Sequence, residues 1–416
     1  MANSPLDVAI IGAGLSGLAL ALALHQQSIS CAVYEAREAP LNVGGALMLM
    51  PNGLKVLGKL GVYDSLQKRG YNFEHIYIQD VDSGKILEKI DYGNVERYGF
   101  QALRLYRYIV LEELLVAVKA KGIPIHFNKR FSHIVSETED SVSWQFHDGS
   151  TETASLLIGA DGIHSTVRSH LFPDIKPVFA NMAAIVAAIP TAQLSLPPPT
   201  DPNLNSPSNT YPIPSGLTVP GLGAFVIAPQ THAGDEVMIT VQRPMASTSI
   251  SSSDKDALRS LLRQNSDRFP PIVQNAVREI PDAQLRIWHF YHIPRLERWM
   301  RGRVLIVGDS AHAIPPSGGQ GANMAFEDVY LVALVLGRLG GKPSGGELER
   351  ALLGWQRFRQ RRVDRVLELN RQMDLRRMPS AGGGEEEEKV DMAEMFDWLF
   401  NIDFEEAVDE CLEGVL

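Results

Sequence analysis

The chain has 416 residues, 45% hydrophobic and 21% charged. That excludes a disordered tail or a coiled coil and allows two or three domains with a large core, without disulfides or a structural metal. Lys plus Arg number 39 against 49 Asp plus Glu, a net charge of −10 that repels phosphate backbones and excludes nucleic acid as an expected partner. The two cysteines, Cys31 and Cys411, lie far apart, which fits a reducing, cytoplasmic setting and excludes a disulfide scaffold.

Residues 6–11 read as a strand that stops at Gly12; a Leu/Ala-rich helix and a second strand, 31–34, follow, ending at Glu35. The uncharged stretch 8–24 spans 17 residues but is interrupted by Gly12, Gly14, Ser16 and Gly17 and has no basic flank, so no membrane span is expected. A helix is expected over 105–120, then strands near 123–127, 133–136, 142–146, 151–154 and 156–158. Nine of the 25 prolines fall in 190–220, so no regular element is expected there. Strands resume at 224–228 and 237–241, a helix follows near 254–265, and a strand over 303–307 ends at Gly308-Asp309. A long apolar helix starts around Gly321, and an Arg-rich helix covers 355–377. A Gly/Glu linker and an acidic tail with no Lys or Arg close the chain.

Three motifs carry chemistry. Gly12-Ala13-Gly14-Leu15-Ser16-Gly17 is G-x-G-x-x-G between a strand and a helix. Gly12 permits the tight turn, Gly14 clears space for a pyrophosphate, and Gly17 lets the helix pack on the strand. The helix N-terminus offers free N–H groups to the anion, and Glu35, 18 residues past Gly17, is placed to grip ribose hydroxyls. The second motif, Gly308-Asp309-Ser310-Ala311-His312-Ala313-Ile314-Pro315-Pro316-Ser317-Gly318-Gly319-Gln320-Gly321-Ala322-Asn323, closes a strand with Asp309 and exposes glycine N–H groups at a helix start. Between them lies Gly159-Ala160-Asp161-Gly162-Ile163-His164-Ser165-Thr166-Val167-Arg168.

In this order and at these distances the trio resembles the single-component FAD-dependent monooxygenases, the flavoprotein aromatic hydroxylase family of para-hydroxybenzoate hydroxylase, over about residues 6–375. The resemblance implies an α/β fold: a Rossmann-type FAD-binding domain assembled from discontinuous segments, with an inserted β-sheet substrate domain and C-terminal helices. The expected division is 1–70, 100–170 and 296–340 for FAD binding, and 71–99 with 171–295 for the β-sheet substrate domain. A helical region at 341–378, a linker at 379–391 and a tail at 392–416 complete it. By the same resemblance Gly12, Gly14 and Gly17 bind the pyrophosphate, Glu35 the adenosine ribose and Asp309 the ribityl chain. The Gly321-Ala322-Asn323 backbone faces the isoalloxazine, Gly45 and Ala46 form the flavin-side loop, and Arg107 contacts FAD, with Arg104 as the alternative. Asp161 and Arg168 of the DG motif are associated with FAD and with NADPH or NADH, a transient donor that has no fingerprint of its own here.

The implied function is monooxygenation of an apolar or aromatic small molecule by NAD(P)H and O₂ through a flavin C4a-hydroperoxide, in secondary metabolism. A flavin dehydrogenase or oxidase on the same fold, or a silent FAD-binding partner protein, is the alternative. The stretch 179–184 offers no acid or base where family members carry a Tyr or Arg, so the catalytic residues stay open. Candidates for the substrate pocket are His289 and Tyr291 in Trp288-His289-Phe290-Tyr291-His292, which could instead join the domains. Met48 and Met50 either face the flavin or fill the core, and Pro315 sits beside the reacting position. His312 is expected to satisfy local backbone groups. The Arg-rich helix, with eight Arg against three acids, is expected to be solvated or paired with the acidic tail. In that tail Met395, Phe396, Leu399 and Phe400 cover the core or form a dimer contact, so the protein is expected to be a monomer or a homodimer with no metal.

Overall fold

The computed structural model describes residues 6–39, 45–81, 85–196, 213–219, 222–341, 343–377 and 391–415. A six-stranded sheet runs in the order Met300–Arg301, Val304–Ile306, Leu156–Gly159, Asp7–Ile11, Ser30–Tyr34, Ile125–His126. All its pairings are parallel except the short edge strand Met300–Arg301. Parallel strands need covered faces, and the helix Leu15–Gln26 supplies one cover, buried continuously from Leu18 to Leu24. The three strands contributed by distant segments end side by side at Gly12, Gly159 and Val307. Gly12 N–H donates to the Tyr34 carbonyl, Ala160 N–H to Ile11 and Val307 N–H to Gly159.

A seven-stranded sheet forms the second layer: Arg286–His292, Val178–Pro190, Glu236–Pro244, Gly223–Pro229, Ser215–Val219, His75–Asp80, Ile86–Asp91. Its Ile185, Ile239 and Ile227 side pack on the helices Lys255–Arg263 and Pro271–Ala276 in a core of its own. Between the layers lies a small sheet, Ala46–Leu49, Ala102–Tyr106 and Tyr71–Phe73. His75–Asp80 and Ile86–Asp91 therefore join the large sheet while Tyr71–Phe73 stays with the small one.

Several elements differ from expectation. The helix placed at 105–120 begins at Arg107, because Ala102–Tyr106 is the central strand of the small sheet. The proline-rich stretch does contain a regular element: Ser215–Val219 lies between Pro214 and Pro220, has no proline itself, and donates a full ladder to Gly223–Pro229. The 3₁₀ turn Thr191–Leu194 is a second one; residues 197–212 of that stretch and nearly all of the Gly/Glu linker lie outside the described residues. The Arg-rich helix extends over Gly345–Arg377. The tail forms two helices, Met392–Phe400 and Phe404–Leu412, capped by Asp391 and Asp403. Its Met395, Phe396, Leu399 and Phe400 are buried in this chain's own main core, which resolves the choice between core cover and dimer contact.

Candidate flavin and substrate site

The first fingerprint separates its glycines by function. Gly12 has φ +108°, and a Cβ there would lie 2.6 Å from the Ala160 carbonyl oxygen. A Cβ on Gly17 would lie 1.9 Å from the Gly12 oxygen. Both are therefore required by packing. Gly14 has an ordinary φ of −79°, and its Cβ would meet nothing within 4 Å. The helix that follows has no side-chain cap and no acid in its first turn, so its N–H groups and positive dipole end stay available to an anion. Glu35 closes the second strand, buried, with Oε2 accepting from Ala13 N–H at 2.9 Å and Oε1 from Arg37 N–H at 3.0 Å.

The second helix start repeats these features. The helix Gly321–Leu339 has no side-chain cap and no acid in its first turn, and a Cβ on Gly321 would again meet nothing within 4 Å. The glycine loop before it is held from below. Asn370 accepts from Gly318 N–H at 2.6 Å and donates to the Pro315 carbonyl at 2.8 Å. Asn323 donates to the Gly319 and Met48 carbonyls at 2.9 and 3.1 Å and accepts from Met50 N–H at 3.0 Å. Its amide is thus spent on shaping the loop and the strand Ala46–Leu49. Met50 is fully buried and its Cε would lie 3.1 Å from a Cβ on Gly319, whereas Met48 is only partly covered.

The DG motif clasps the two halves. Asp161 Oδ2 accepts from Thr166 N–H at 2.7 Å, Thr166 Oγ1 at 2.9 Å and Val167 N–H at 3.2 Å, while Oδ1 accepts from Ser310 Oγ at 3.2 Å. Arg168, fully buried, donates to the Ser310 and Ile163 carbonyls at 3.0 and 2.6 Å. Both side chains are thus engaged within the protein. Asp309 differs: it is half-buried at the end of the strand, and no hydrogen bond or ion pair involves its carboxylate among the described residues. Arg107 and Gly45 are exposed and adjacent, with Arg107 N–H donating to the Gly45 carbonyl at 3.1 Å. Ala46 and Ala322 are half-buried. These features fit a dinucleotide: two uncapped helix starts, two glycines with open space in the Cβ direction, and carboxylates at two strand ends.

Beneath the loop lies a buried ionic lattice that the sequence reading missed. His312 pairs with Asp328 at 2.5 Å, and Asp328 also accepts from Gly308 N–H at 2.9 Å and Arg359 Nε at 2.7 Å. Arg359 continues to Glu327, which receives Arg362 Nε at 2.7 Å and Asn52 at 2.7 Å; Asn52 reaches Gln320 at 3.0 Å. Burial opposes ionisation of Glu327 and Asp328, but the facing cations outweigh it and hold both carboxyls below their ordinary range. His312 therefore bonds a carboxylate rather than local backbone. The Arg-rich helix is likewise not wholly a solvated face. Arg359 and Arg362 are buried, whereas Arg361 does pair with Glu410 of the tail at the surface. The available signal was Glu327-Asp328 in an otherwise apolar helix, opposite a surplus of arginines.

The substrate candidates on the large sheet lie elsewhere than expected. Across the ladder Ile287 faces Ile185, a second-core residue, and His289 faces Ala183, so His289 and Tyr291 share that far face by strand alternation. His289 stacks edge-on with Phe179 at 5.7 Å, and burial lowers its pKa. Trp288 takes the opposite parity. The seam toward the glycine loop is instead lined from the small sheet by Met48, Arg104 and Tyr106. Arg104 Nη2 reaches the Met238 sulfur at 3.0 Å, and Tyr106 donates its hydroxyl to Glu236, which also receives Gln230 at 3.4 Å. Burial and the Glu236 carboxylate push the Tyr106 phenol up.

A family model described as FAD binding domain matches residues 5–349. The chain belongs to that family. FAD is its cofactor, and the α/β architecture is that of the FAD-dependent hydroxylases. The chain is 28% identical to 6-hydroxynicotinate 3-monooxygenase of Bordetella bronchiseptica, over 80% of this chain and 83% of that protein. It is 28% identical to the 3-amino-4-hydroxybenzoate 2-monooxygenase PtmB3 of Streptomyces platensis, over 89% and 87%. The crystal structure of Klebsiella pneumoniae HpxO with FAD and uric acid superposes with a TM-score of 0.73 at 23% identity, covering 99% of this chain and 96% of that one. The protein is an enzyme of the FAD-dependent monooxygenase class. No helix among the described residues is long and apolar enough to cross a membrane.

Proposed function

We propose that this FAD-dependent monooxygenase uses NADPH or NADH and O₂ to oxygenate an aromatic small molecule. The overall reaction is R–H + O₂ + NAD(P)H + H⁺ → R–OH + H₂O + NAD(P)⁺. The observation that carries the reading is the pair of uncapped, acid-free helix starts, each with a glycine open in the Cβ direction. FAD bound there supplies the redox chemistry, taking electrons from the nicotinamide donor and activating O₂.

The chain's own residues bind, orient and exclude water. The first helix start and Gly14 receive the pyrophosphate, Glu35 the ribose and Asp309 the ribityl hydroxyls, with Arg107, Gly45 and Ala46 along the open side. The backbone of Gly321, Ala322 and Asn323 faces the ring, and Pro315 with the glycine loop forms the wall beside the reacting position. Asn370, Asn323 and the ionic lattice fix that wall in place before substrate arrives, which is preorganisation rather than induced order. The assay is NAD(P)H oxidation by purified holoenzyme against a panel of aromatic compounds under ¹⁸O₂. A product gaining one labelled oxygen supports the reading. NAD(P)H oxidation that yields only hydrogen peroxide with every compound, or substrate oxidation without label, replaces it with an oxidase or dehydrogenase.

A further inference from the structure

One face of the seven-stranded sheet is sealed and the other is open. On its three interior strands Ile185, Ile227 and Ile239 are fully buried in the second core. Ala184, Val186, Val226 and Met238, which point the other way, are only half-buried. The open face is continuous across the strands: Trp288 pairs with Ala184, Ala184 with Gln242, Val186 with Thr240, and Thr240 with Val226. No charged side chain stands on this face of those strands between the rows of Met238 and Gln242. Gln242 is half-buried, its amide makes no hydrogen bond among the described residues, and its Oε1 is buried without a partner. An amide left unpaired in this way is costly until something meets it. Trp288, on the edge strand, is 46% exposed.

The helix Gly345–Arg377 passes across this open face. Asp364 pairs with Arg295, just past the edge strand Arg286–His292, and Arg376 pairs with Glu88 on the opposite edge strand. Glu88 aligns with Val226 through Ile78 and Gly216, so it stands on the open face itself. Along the stretch between these ties Leu367, Asn370, Arg371, Asp374 and Leu375 line a cleft of about 360 Å³ together with Pro315. Pro315 joins that cleft to the glycine loop, since Asn370 donates to its carbonyl and accepts from Gly318 N–H. Leu367 is 41% exposed, and Arg371 is already paired with Glu368. At the small-sheet end the open face begins with Met238, whose sulfur meets Arg104. From Met238 to Gln242 it runs about 13 Å of extended strand, a length that one ring does not fill and two or three fused rings do.

We infer that the cleft between the open sheet face and this helix takes an uncharged substrate of two or more fused aromatic rings, with Trp288 stacking on the outer ring and Gln242 meeting a ring carbonyl or N–H group. The inference rests on the monooxygenase reading for the chemistry of the site, but it concerns residues that the reading does not require. Ala184 is the size-determining position: its short side chain, between Gln242 and Trp288, leaves the room that an outer ring occupies. The uncharged interior of the face disfavours an ionised group there, because a charge moved into it finds no partner.

The test titrates holoenzyme with 4-pyridone, 4-quinolone and acridone, which carry the same carbonyl and N–H on one, two and three rings. Binding is read from the change in flavin absorbance. Wild type is expected to bind 4-quinolone or acridone at least about tenfold more tightly than 4-pyridone. Ala184→Phe should weaken the larger compound about tenfold or more while changing 4-pyridone less than twofold and leaving flavin content unchanged. Gln242→Leu should weaken 4-quinolone and acridone by about 3- to 10-fold, the worth of one hydrogen bond. A wild type that binds neither larger compound more tightly than 4-pyridone overturns the inference, whatever the variants do. So does an Ala184→Phe enzyme that weakens all three compounds equally, or none. An Ala184→Phe chain that fails to fold or to hold FAD overturns it too, since a position facing open space tolerates the larger side chain. Unchanged affinities in Gln242→Leu remove the glutamine from the site. Label incorporation from ¹⁸O₂ is read separately, so a failed size preference leaves the monooxygenase reading standing.

Discussion

Replacing Arg359 by methionine removes the hub of the buried lattice while keeping most of the volume. The guanidinium is fully buried and binds Asp328 through Nε at 2.7 Å, Glu327 through Nη1, and the Met324 carbonyl through Nη2 at 3.1 Å. Both carboxylates keep other partners, Asp328 with His312 and Glu327 with Arg362. Yet two buried negative charges then face each other with one fewer cation, a loss on the order of 3–5 kcal/mol. At about 1 °C per kcal/mol for a chain of 416 residues, Tm should fall by roughly 3–6 °C. Arg361→Ala, two residues away, is the internal control: its pair with Glu410 is exposed, and such pairs are worth about 0–1 kcal/mol. The assay is thermal unfolding of holo and apo protein. The sign with pH follows from the lowered carboxyls. Their stabilisation is complete above the ordinary values of 4.5 and 3.8 and is lost as pH falls through the lower folded values. Without Arg359 those folded values rise, so acid unfolding should begin at higher pH. Equal Tm shifts for Arg359→Met and Arg361→Ala, with superimposable acid limbs, would refute the reasoning.

The glycines give a paired prediction: Gly14→Val should lower FAD affinity with the apoprotein Tm within about 1 °C of wild type, because its Cβ meets nothing within 4 Å. Gly17→Ala should destabilise apo and holo protein alike, since its Cβ would lie 1.9 Å from the Gly12 oxygen; melting curves of both forms separate the cases. Glu35→Ala should weaken FAD by about 1.5–3 kcal/mol, roughly 10- to 150-fold, and equal flavin retention on dialysis would count against the ribose role. Gly321→Val should cost flavin or release hydrogen peroxide in place of product; full occupancy with wild-type coupling would remove Gly321 from the reactive-side wall.

Much of the cofactor half was legible because its constraints are local. A glycine turn after a strand, an acid at the next strand end and a second glycine loop before a helix follow from adjacent residues. The strands that end at Gly12 and Gly159 were read within a residue or two for the same reason. The helix begun two residues early at 105 shows the limit of periodicity. Leu103, Arg104, Leu105 and Tyr106 alternate as a strand, but the apolar run that follows masks the change of period. The strand Ser215–Val219 was hidden by its flanking prolines, although proline restricts only its own position and the one before it. His289 and Tyr291 looked attractive by composition. Which face of a strand meets the flavin side is decided by pairing with Val178–Pro190, more than a hundred residues distant along the chain.

The ionic lattice was illegible for a different reason, and that reason bears on how the site works. Each of its members reads alone as something ordinary: two acids on a helix, arginines on another, an asparagine after a proline. Only their convergence shows that the charges stabilise one another, and they converge under the glycine loop. A loop with glycines at 318, 319 and 321 has little intrinsic rigidity. Its order is imposed from outside, by Asn370 on Gly318, Asn323 on Gly319, and Gln320 through Asn52 to Glu327. Arg362 extends the same lattice to the Leu399 carbonyl and lies over Trp398, which ties the acidic tail to the charges under the glycine loop. The flexible backbone that a ring must approach closely is therefore made rigid by buried polar contacts, which a purely apolar floor could not direct at individual amides.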